Sequence, residues 1–292
     1  MGDAMKQVEK VKRSWASEEK FFSRSWTHIF YFWKLRQIML GRTVERLLSA
    51  SLDTQGLRVI DLGCGPGTNL FEVADRCARF SSVQWYGLDL NQQEAAMGAE
   101  RSGWRARERG LQSIQFLSGD IFNLPLADNS VDIILSSEVV EHLPDPVPAL
   151  KEMARVLKPG GYAMVTTPNP KNLPEMLGYA MDYLTGGGFK KLYWKGQDEV
   201  SAPPLAAAVG FGHVSVHPFP VWRQWFEQAG IPVIKKVRGP MLFGSPFFDR
   251  QRFLSGLLVA LDPLLDILPG RFLTTTNLGM LCRKPESEDA RR

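Results

Sequence analysis

A glycine-rich turn separates a β-branched run from a helix-forming stretch at residues 59–70, which read VIDLGCGPGTNL. Glycine allows the backbone to turn sharply and lets a ligand approach the main chain closely. Asp61 comes just before the turn, and Thr68 stands where a dinucleotide-binding turn has its last Gly or Ala. A carboxylate at that point repels a pyrophosphate and attracts a cation. The turn therefore favours a positively charged ligand over a dinucleotide.

Further acids follow the next β-rich runs at spacings that suit S-adenosyl-L-methionine, a ligand with an ammonium and a sulfonium. We expect Asp89 to accept both ribose hydroxyls and Asp120 to accept from the adenine amino group, with Ile121 covering the ring. Ser137 ends the fourth run beside the same crevice. The residues expected to bind this cofactor are Asp61, Gly63, Cys64, Gly65, Asp89, Leu90, Asp120, Ile121 and Ser137.

The elements that position these residues alternate between strand and helix. Short β-rich runs lie at residues 58–62, 83–90, 114–118, 131–136 and 162–167. The helix between the last two runs is expected to be capped by Asp145, to have Pro146 at its first position and to stop at residues 158–161. Strands joined by crossover helices must be parallel, which predicts an open sheet covered on both faces.

Helices and strands are also predicted on both sides of this core. Residues 6–50 read as helical with a break at Gly41, and a helix at 221–229 precedes strands at 231–237 and 278–283. Proline and glycine interrupt the segment after Thr167, which we interpret as an insertion over the substrate.

With these segments in order, the chain resembles class I S-adenosylmethionine-dependent methyltransferases, and within them the type 11 methyltransferase family. The resemblance covers residues 55–168 strongly and 211–283 weakly. It implies an α/β, Rossmann-like, doubly wound seven-stranded sheet of order 3-2-1-4-5-7-6, with the last strand antiparallel and helical lid insertions. The expected division is an N-terminal helical lid at 1–50, a methyltransferase domain at 51–285 with insertions at about 169–215 and 240–273, and a disordered tail at 286–292.

The segment Glu138–His142 is similar to one in ubiquinone-pathway O-methyltransferases and small-RNA terminal 2′-O-methyltransferases. That resemblance implies a magnesium site made of Glu138, Glu141, His142 and His213. In the alternative interpretation there is no metal, and Glu141 and His142 cap or pack the following helix. His142, Glu138 and His213 are also the candidate catalytic residues, with His142 as the general base.

Apolar segments outside the sheet core predict a hydrophobic small-molecule acceptor, such as a quinone-like, polyketide or lipid intermediate. Trp15, Phe21, Phe22 and Trp26 are candidate lid residues, together with the apolar residues of 241–272, although apolar residues at helical spacing also form ordinary cores. The expected reaction is methyl transfer to an oxygen or carbon of that acceptor. The alternatives are metal-assisted RNA 2′-O-methylation and a non-catalytic subunit that binds the cofactor.

Composition narrows the function classes. The 292 residues carry a net charge of only +4, which argues against a nucleic acid partner, and the three scattered cysteines argue against disulfides or zinc. No apolar run reaches the roughly 20 residues of a membrane span. We therefore predict a cytoplasmic enzyme. Residues 1–46 hold ten Lys and Arg against five Asp and Glu, so peripheral contact with an anionic membrane is a further expectation. The oligomeric state is not defined by the sequence.

Overall fold

The structure is a computed structural model. It describes residues 28–51, 53–170, 173–186, 188, 214–239, 257, 264, 275 and 277–286. Most of the predicted lid residues, including Trp15, Phe21, Phe22 and Trp26, lie outside these ranges, as do His213 and nearly all of the insertion at 240–273.

Helices and strands alternate along the described chain. In chain order they are α1 His28–Ala50, β1 Arg58–Leu62, α2 Thr68–Arg76, β2 Gln84–Asp89, α3 Gln92–Arg109, β3 Gln115–Ser118, β4 Val131–Ser137, a 3-10 turn at Val140–His142, α4 Val147–Val156, β5 Leu157–Pro168, α5 Leu173–Leu184, α6 Phe219–Gln228, β6 Val233–Arg238 and β7 Asn277–Arg283. None of the helices that the structure describes is long and apolar enough to cross a membrane.

The seven strands form one sheet in the order β3-β2-β1-β4-β5-β7-β6. The first five run parallel, and β7 is antiparallel to both β5 and β6. The predicted strand order and the antiparallel last strand are therefore confirmed. The carboxyl ends of β1, β2, β3 and β4 meet at one edge of this sheet, where ligands bind in open α/β folds.

Helices cover both faces of the sheet. On one face, Leu40 and Val44 of α1 and Leu70 of α2 belong to a buried apolar cluster. On the other face, Leu150 of α4 and Phe226 of α6 belong to a second cluster. The doubly wound prediction is confirmed, and the second half of α1, expected as part of a lid, packs as core.

The predicted break at Gly41 is wrong, because α1 is continuous through this residue. A Cβ at Gly41 would lie 2.6 Å from Cδ of Arg76 on α2. The glycine serves close helix packing, which a single sequence does not distinguish from a helix stop.

Before β5, Asp145 Oδ1 accepts from the Val147 amide at 3.1 Å as predicted, but the helix begins at Val147, and Pro146 stands at the N-cap instead of the first helical position. The helix also ends before residues 158–161, but these residues form part of β5 rather than a separate turn. They produce an irregularity in the pairing of β4 with β5, and Gly160 within them has φ 80°. A bulge of this kind accommodates extra residues without ending the strand.

Candidate active site

The glycine-rich turn joins β1 to α2 and is tied to the neighbouring strand. The amides of Gly63 and Cys64 both donate to the carbonyl oxygen of Leu88, at 2.8 and 3.1 Å. Gly63 has φ 72°, and a Cβ there would lie 2.4 Å from Cγ2 of Val139. Only glycine meets both the left-handed backbone and the lack of space at this position.

Gly65 and Asp89 form the centre of the expected cofactor site. The Gly65 amide donates to Asp89 Oδ2 at 2.7 Å, and Asp89 Oδ1 accepts from the Asn91 amide at 2.9 Å. A Cβ at Gly65 would meet no atom within 4 Å. A carboxylate has about four lone-pair sites, so Asp89 keeps acceptor capacity toward this open space. The arrangement fits a ribose diol lying over the turn.

Asp61 lies under the turn at the end of β1 and is buried. Burial, and next the charge of Asp89, raise the pKa of Asp61 to about 8. An added positive charge would favour the ionised form of such a carboxyl. This environment fits a cationic ligand, the ammonium and sulfonium of S-adenosyl-L-methionine among them. Burial also raises the pKa of the Cys64 thiol, which favours its protonated form.

The predicted adenine residues lie at the same edge of the sheet. The Asp120 carboxylate is exposed and accepts from the Phe122 amide at 2.9 Å. Ile121 is half-buried, and Leu90 and Phe122 are 72% and 43% exposed. Adenine is a planar ring with a polar amino group. Apolar side chains can cover the ring, and the Asp120 carboxylate can accept a hydrogen bond from the amino group.

The end of β4 carries a residue with unusual backbone geometry. Glu138 has φ 59°, a left-handed conformation that is uncommon outside glycine and concentrated at functional sites. Its amide donates to the Thr166 carbonyl oxygen at 3.1 Å, and its Oε1 accepts from the Thr166 hydroxyl at 3.0 Å. The Thr166 and Ser137 hydroxyls also lie 3.0 Å apart. Thr166 thus orients the Glu138 carboxylate.

The structure separates the side chains of Glu141 and His142. Glu141 is buried, and desolvation followed by the nearby Glu138 charge raises the pKa of its carboxyl to about 9, against smaller lowering effects that include Arg36. His142 is exposed. Within the described residues no group of three or more His, Cys, Asp or Glu side chains could hold a metal ion. His213 lies outside that part of the chain, so the magnesium set of Glu138, Glu141, His142 and His213 stays a prediction.

Sequence reasoning missed Thr166 and Thr167. Both are fully buried at the end of β5, and Thr166 contacts two of the predicted site residues. The available signal was a pair of hydroxyl residues at the carboxyl end of the strand that pairs with β4. That signal becomes specific only once the strand order is known.

Comparison with known proteins gives a family for this chain. A family model described as "Methyltransferase domain" matches residues 53–200. Cycloartenol-C-24-methyltransferase 1 of Oryza sativa subsp. japonica is 31% identical over 161 residues, covering 52% of this chain and 44% of that protein. Fatty-acid O-methyltransferase of Mycolicibacterium smegmatis is 32% identical over 128 residues, covering 44% of this chain and 43% of that protein. The chain therefore spans less than half the length of these two curated relatives.

Solved structures agree on the fold. The CurJ carbon methyltransferase superposes with a TM-score of 0.54 at 11% sequence identity, covering 93% of this chain and 58% of that chain. The family match includes the glycine-rich turn, Asp89 and the turn after β4. The chain belongs to the class I S-adenosylmethionine-dependent methyltransferase family, whose cofactor is S-adenosyl-L-methionine.

Proposed function

We propose that this protein transfers a methyl group from S-adenosyl-L-methionine to an oxygen or carbon of a hydrophobic small molecule. The observation that carries the proposal is the hydrogen bond from the Gly65 amide to Asp89, which lies beside open space above the glycine-rich turn. It supports a ribose site at the carboxyl edge of the sheet. The buried Asp61 beside it supports a ligand with positive charge.

The cofactor supplies an electrophilic methyl group on a sulfonium, which departs as a neutral thioether when the nucleophile takes the methyl carbon. The protein therefore has little to stabilise in the leaving group. Its contribution is to align the nucleophile with the sulfur–carbon bond and to keep water out. The turn and Asp89 fix one end of that alignment through their backbone and side-chain hydrogen bonds.

A base is needed where the nucleophile is a hydroxyl or an activated carbon. Glu138 is the candidate with a defined orientation, because Thr166 donates to its carboxylate and leaves the other carboxylate oxygen for a substrate proton. His142 is exposed four residues further along the chain. His213 remains a candidate outside the described residues.

A hydrophobic acceptor is supported by apolar surface that follows the carboxyl end of β5. Met176, Leu177 and Met181 on α5 are exposed, and so is Val214 near the turn after β4. Several large exposed apolar side chains on one helix are typical of a binding surface. The names of the curated relatives, a sterol and a fatty-acid methyltransferase, support the same acceptor class.

The test is transfer of label to an extractable product. Purified protein is incubated with tritiated-methyl cofactor and fractionated lipophilic extracts, and the labelled product is identified by mass spectrometry. We expect label in the organic phase with the wild-type protein and with Asp53→Ala. At a cofactor concentration near the wild-type dissociation constant, Asp89→Ala should give much less label. Label that appears only in polar products would refute the hydrophobic acceptor. Cofactor binding by calorimetry without transfer to any fraction would favour a non-catalytic subunit.

A further inference from the structure

Four fully buried side chains have polar atoms without a hydrogen-bond partner among the described residues. They are Ser136, Glu141, Thr167 and Trp222. The atoms concerned are two hydroxyl oxygens, both carboxyl oxygens and the indole nitrogen. The Thr167 hydroxyl is close enough to lower the pKa of Glu141, but the two groups do not have hydrogen-bond geometry.

Two of these side chains, Ser136 and Thr167, lie on one face of the sheet. Ser136 of β4 pairs with Val165 of β5, and Thr167 follows two residues later. Paired residues, and residues two apart on a strand, share a face. Val165 belongs to the same buried cluster as Val140 and Trp222. Ser136, Thr167 and Trp222 therefore border the core between the sheet and α6, and the buried Glu141 carboxyl lies near Thr167.

Polar groups buried in this way need partners. A buried hydroxyl, indole or carboxyl without a hydrogen bond loses the free energy that water supplied in the unfolded chain. Native proteins avoid this cost, and they commonly bridge such groups with internal water, about one molecule per 27 residues with about three hydrogen bonds each. The group here has an obligate donor in the indole N–H and several acceptor oxygens, so a water molecule can both donate and accept within it.

Glu141 connects this core to the segment Glu138–His142, which carries the candidate bases Glu138 and His142. Its carbonyl oxygen accepts from the amides of Val214 and Ser215, at 2.8 and 2.9 Å. Three residues earlier, Glu138 holds its left-handed φ of 59°. A strained residue keeps such a conformation only when its surroundings hold it there. The side chains of Val140 and Glu141 from this turn are both buried, and Glu141 contributes the polar atoms.

We propose that Ser136, Glu141, Thr167 and Trp222 form an internal water-binding chamber, and that Glu141 acts through it as a positioning residue for the turn that presents Glu138 and His142. The proposal rests on the proposed function for its catalytic part only. The chamber itself is a statement about bound water and is tested without turnover.

The catalytic arm compares Glu141→Gln with Glu141→Leu in the full chain. Glutamine keeps the size and the hydrogen-bonding capacity of the side chain, whereas leucine keeps only the size. We expect Glu141→Leu to lower kcat by about 10-fold or more, as loss of a positioning contact does, with KM for the cofactor unchanged. Glu141→Gln should restore most of kcat. A metal ligand would behave differently, because loss of the carboxylate would inactivate both variants, and that result would overturn the positioning role. Full kcat in Glu141→Leu would overturn it as well.

The structural arm uses Trp222→Phe, which removes one donor from the chamber. The matched control is Trp85→Phe, which removes a buried indole from the core on the other face of the sheet. Long-lived internal water is counted by oxygen-17 magnetic relaxation dispersion and located in a high-resolution crystal structure. We expect at least one water within hydrogen-bond distance of Glu141 and Thr167, a reduced count in Trp222→Phe and no change in Trp85→Phe. A chamber without water at high resolution, or equal counts in both variants, overturns the proposal. Wild-type protein that holds this water but transfers no methyl group would instead refute the proposed function.

Discussion

Replacing Asp89 by Ala should weaken cofactor binding and leave the fold intact. The Asp89 carboxylate accepts from the Gly65 amide at 2.7 Å and from the Asn91 amide at 2.9 Å. In the complex it is expected to accept the ribose hydroxyls as well. Hydrogen bonds to a charged group contribute about 1.5 to 3 kcal/mol, so losing this contribution should raise the dissociation constant about 10- to 100-fold at about 1.4 kcal/mol per factor of ten.

Two further variants separate the causes. Asp89→Asn keeps an oxygen that can accept from Gly65 but loses the charge, so we expect a smaller loss of about 3- to 10-fold. Asp53→Ala is the matched control, because Asp53 makes the same kind of bond, 2.8 Å to the Gln55 amide, at an exposed position before β1. This control should bind the cofactor as tightly as the wild-type protein.

The assay is isothermal titration calorimetry with S-adenosylhomocysteine, which retains the ribose, and thermal unfolding monitors the fold of each variant. A dissociation constant of Asp89→Ala equal to that of the wild-type protein would refute the ribose role and the cofactor site built around it. An equal loss in Asp53→Ala would show that the effect is not specific to the turn.

Three further predictions concern charge, packing and metal. Because the pKa of Asp61 is raised to about 8, affinity for S-adenosyl-L-methionine should rise as pH increases from 6 to 8 and level off above 8. Asp61→Asn should flatten this part of the calorimetric pH profile. A profile that keeps its slope would exclude Asp61 as the source of the pH dependence. Gly98→Ala should destabilise the fold by about 1 to 3 kcal/mol, since the added Cβ would lie 2.4 Å from Phe116 Cε1. Gly103→Ala on the same helix should stabilise the fold, because alanine has the higher helix propensity. Denaturant unfolding measures both effects. Excess EDTA should leave turnover unchanged, since the structure separates the buried Glu141 carboxyl from the exposed His142. Loss of activity restored by Mg²⁺ would instead support the magnesium set of Glu138, Glu141, His142 and His213.

Local sequence determined the order of strands and helices and the cofactor turn. The first five strands alternate with helices in a pattern that requires parallel pairing, and the strand at Arg58–Leu62 begins and ends where the β-rich run does. Gly63, Gly65 and Asp89 were predictable because a turn between strand and helix, and the ends of parallel strands, place them by chain connectivity alone.

The tertiary structure decided what depends on contacts between distant segments. Gly41 continues a helix because Arg76 of another helix packs against it, and the sequence of one helix does not contain that information. Thr166 joins the site because β5 pairs with β4, which places its hydroxyl beside Glu138. Glu141 and His142 are adjacent in sequence, yet one is buried and the other exposed, since a 3-10 turn directs neighbouring side chains to different sides. Residue type and spacing thus determine which groups are available, and packing determines which of them share a site.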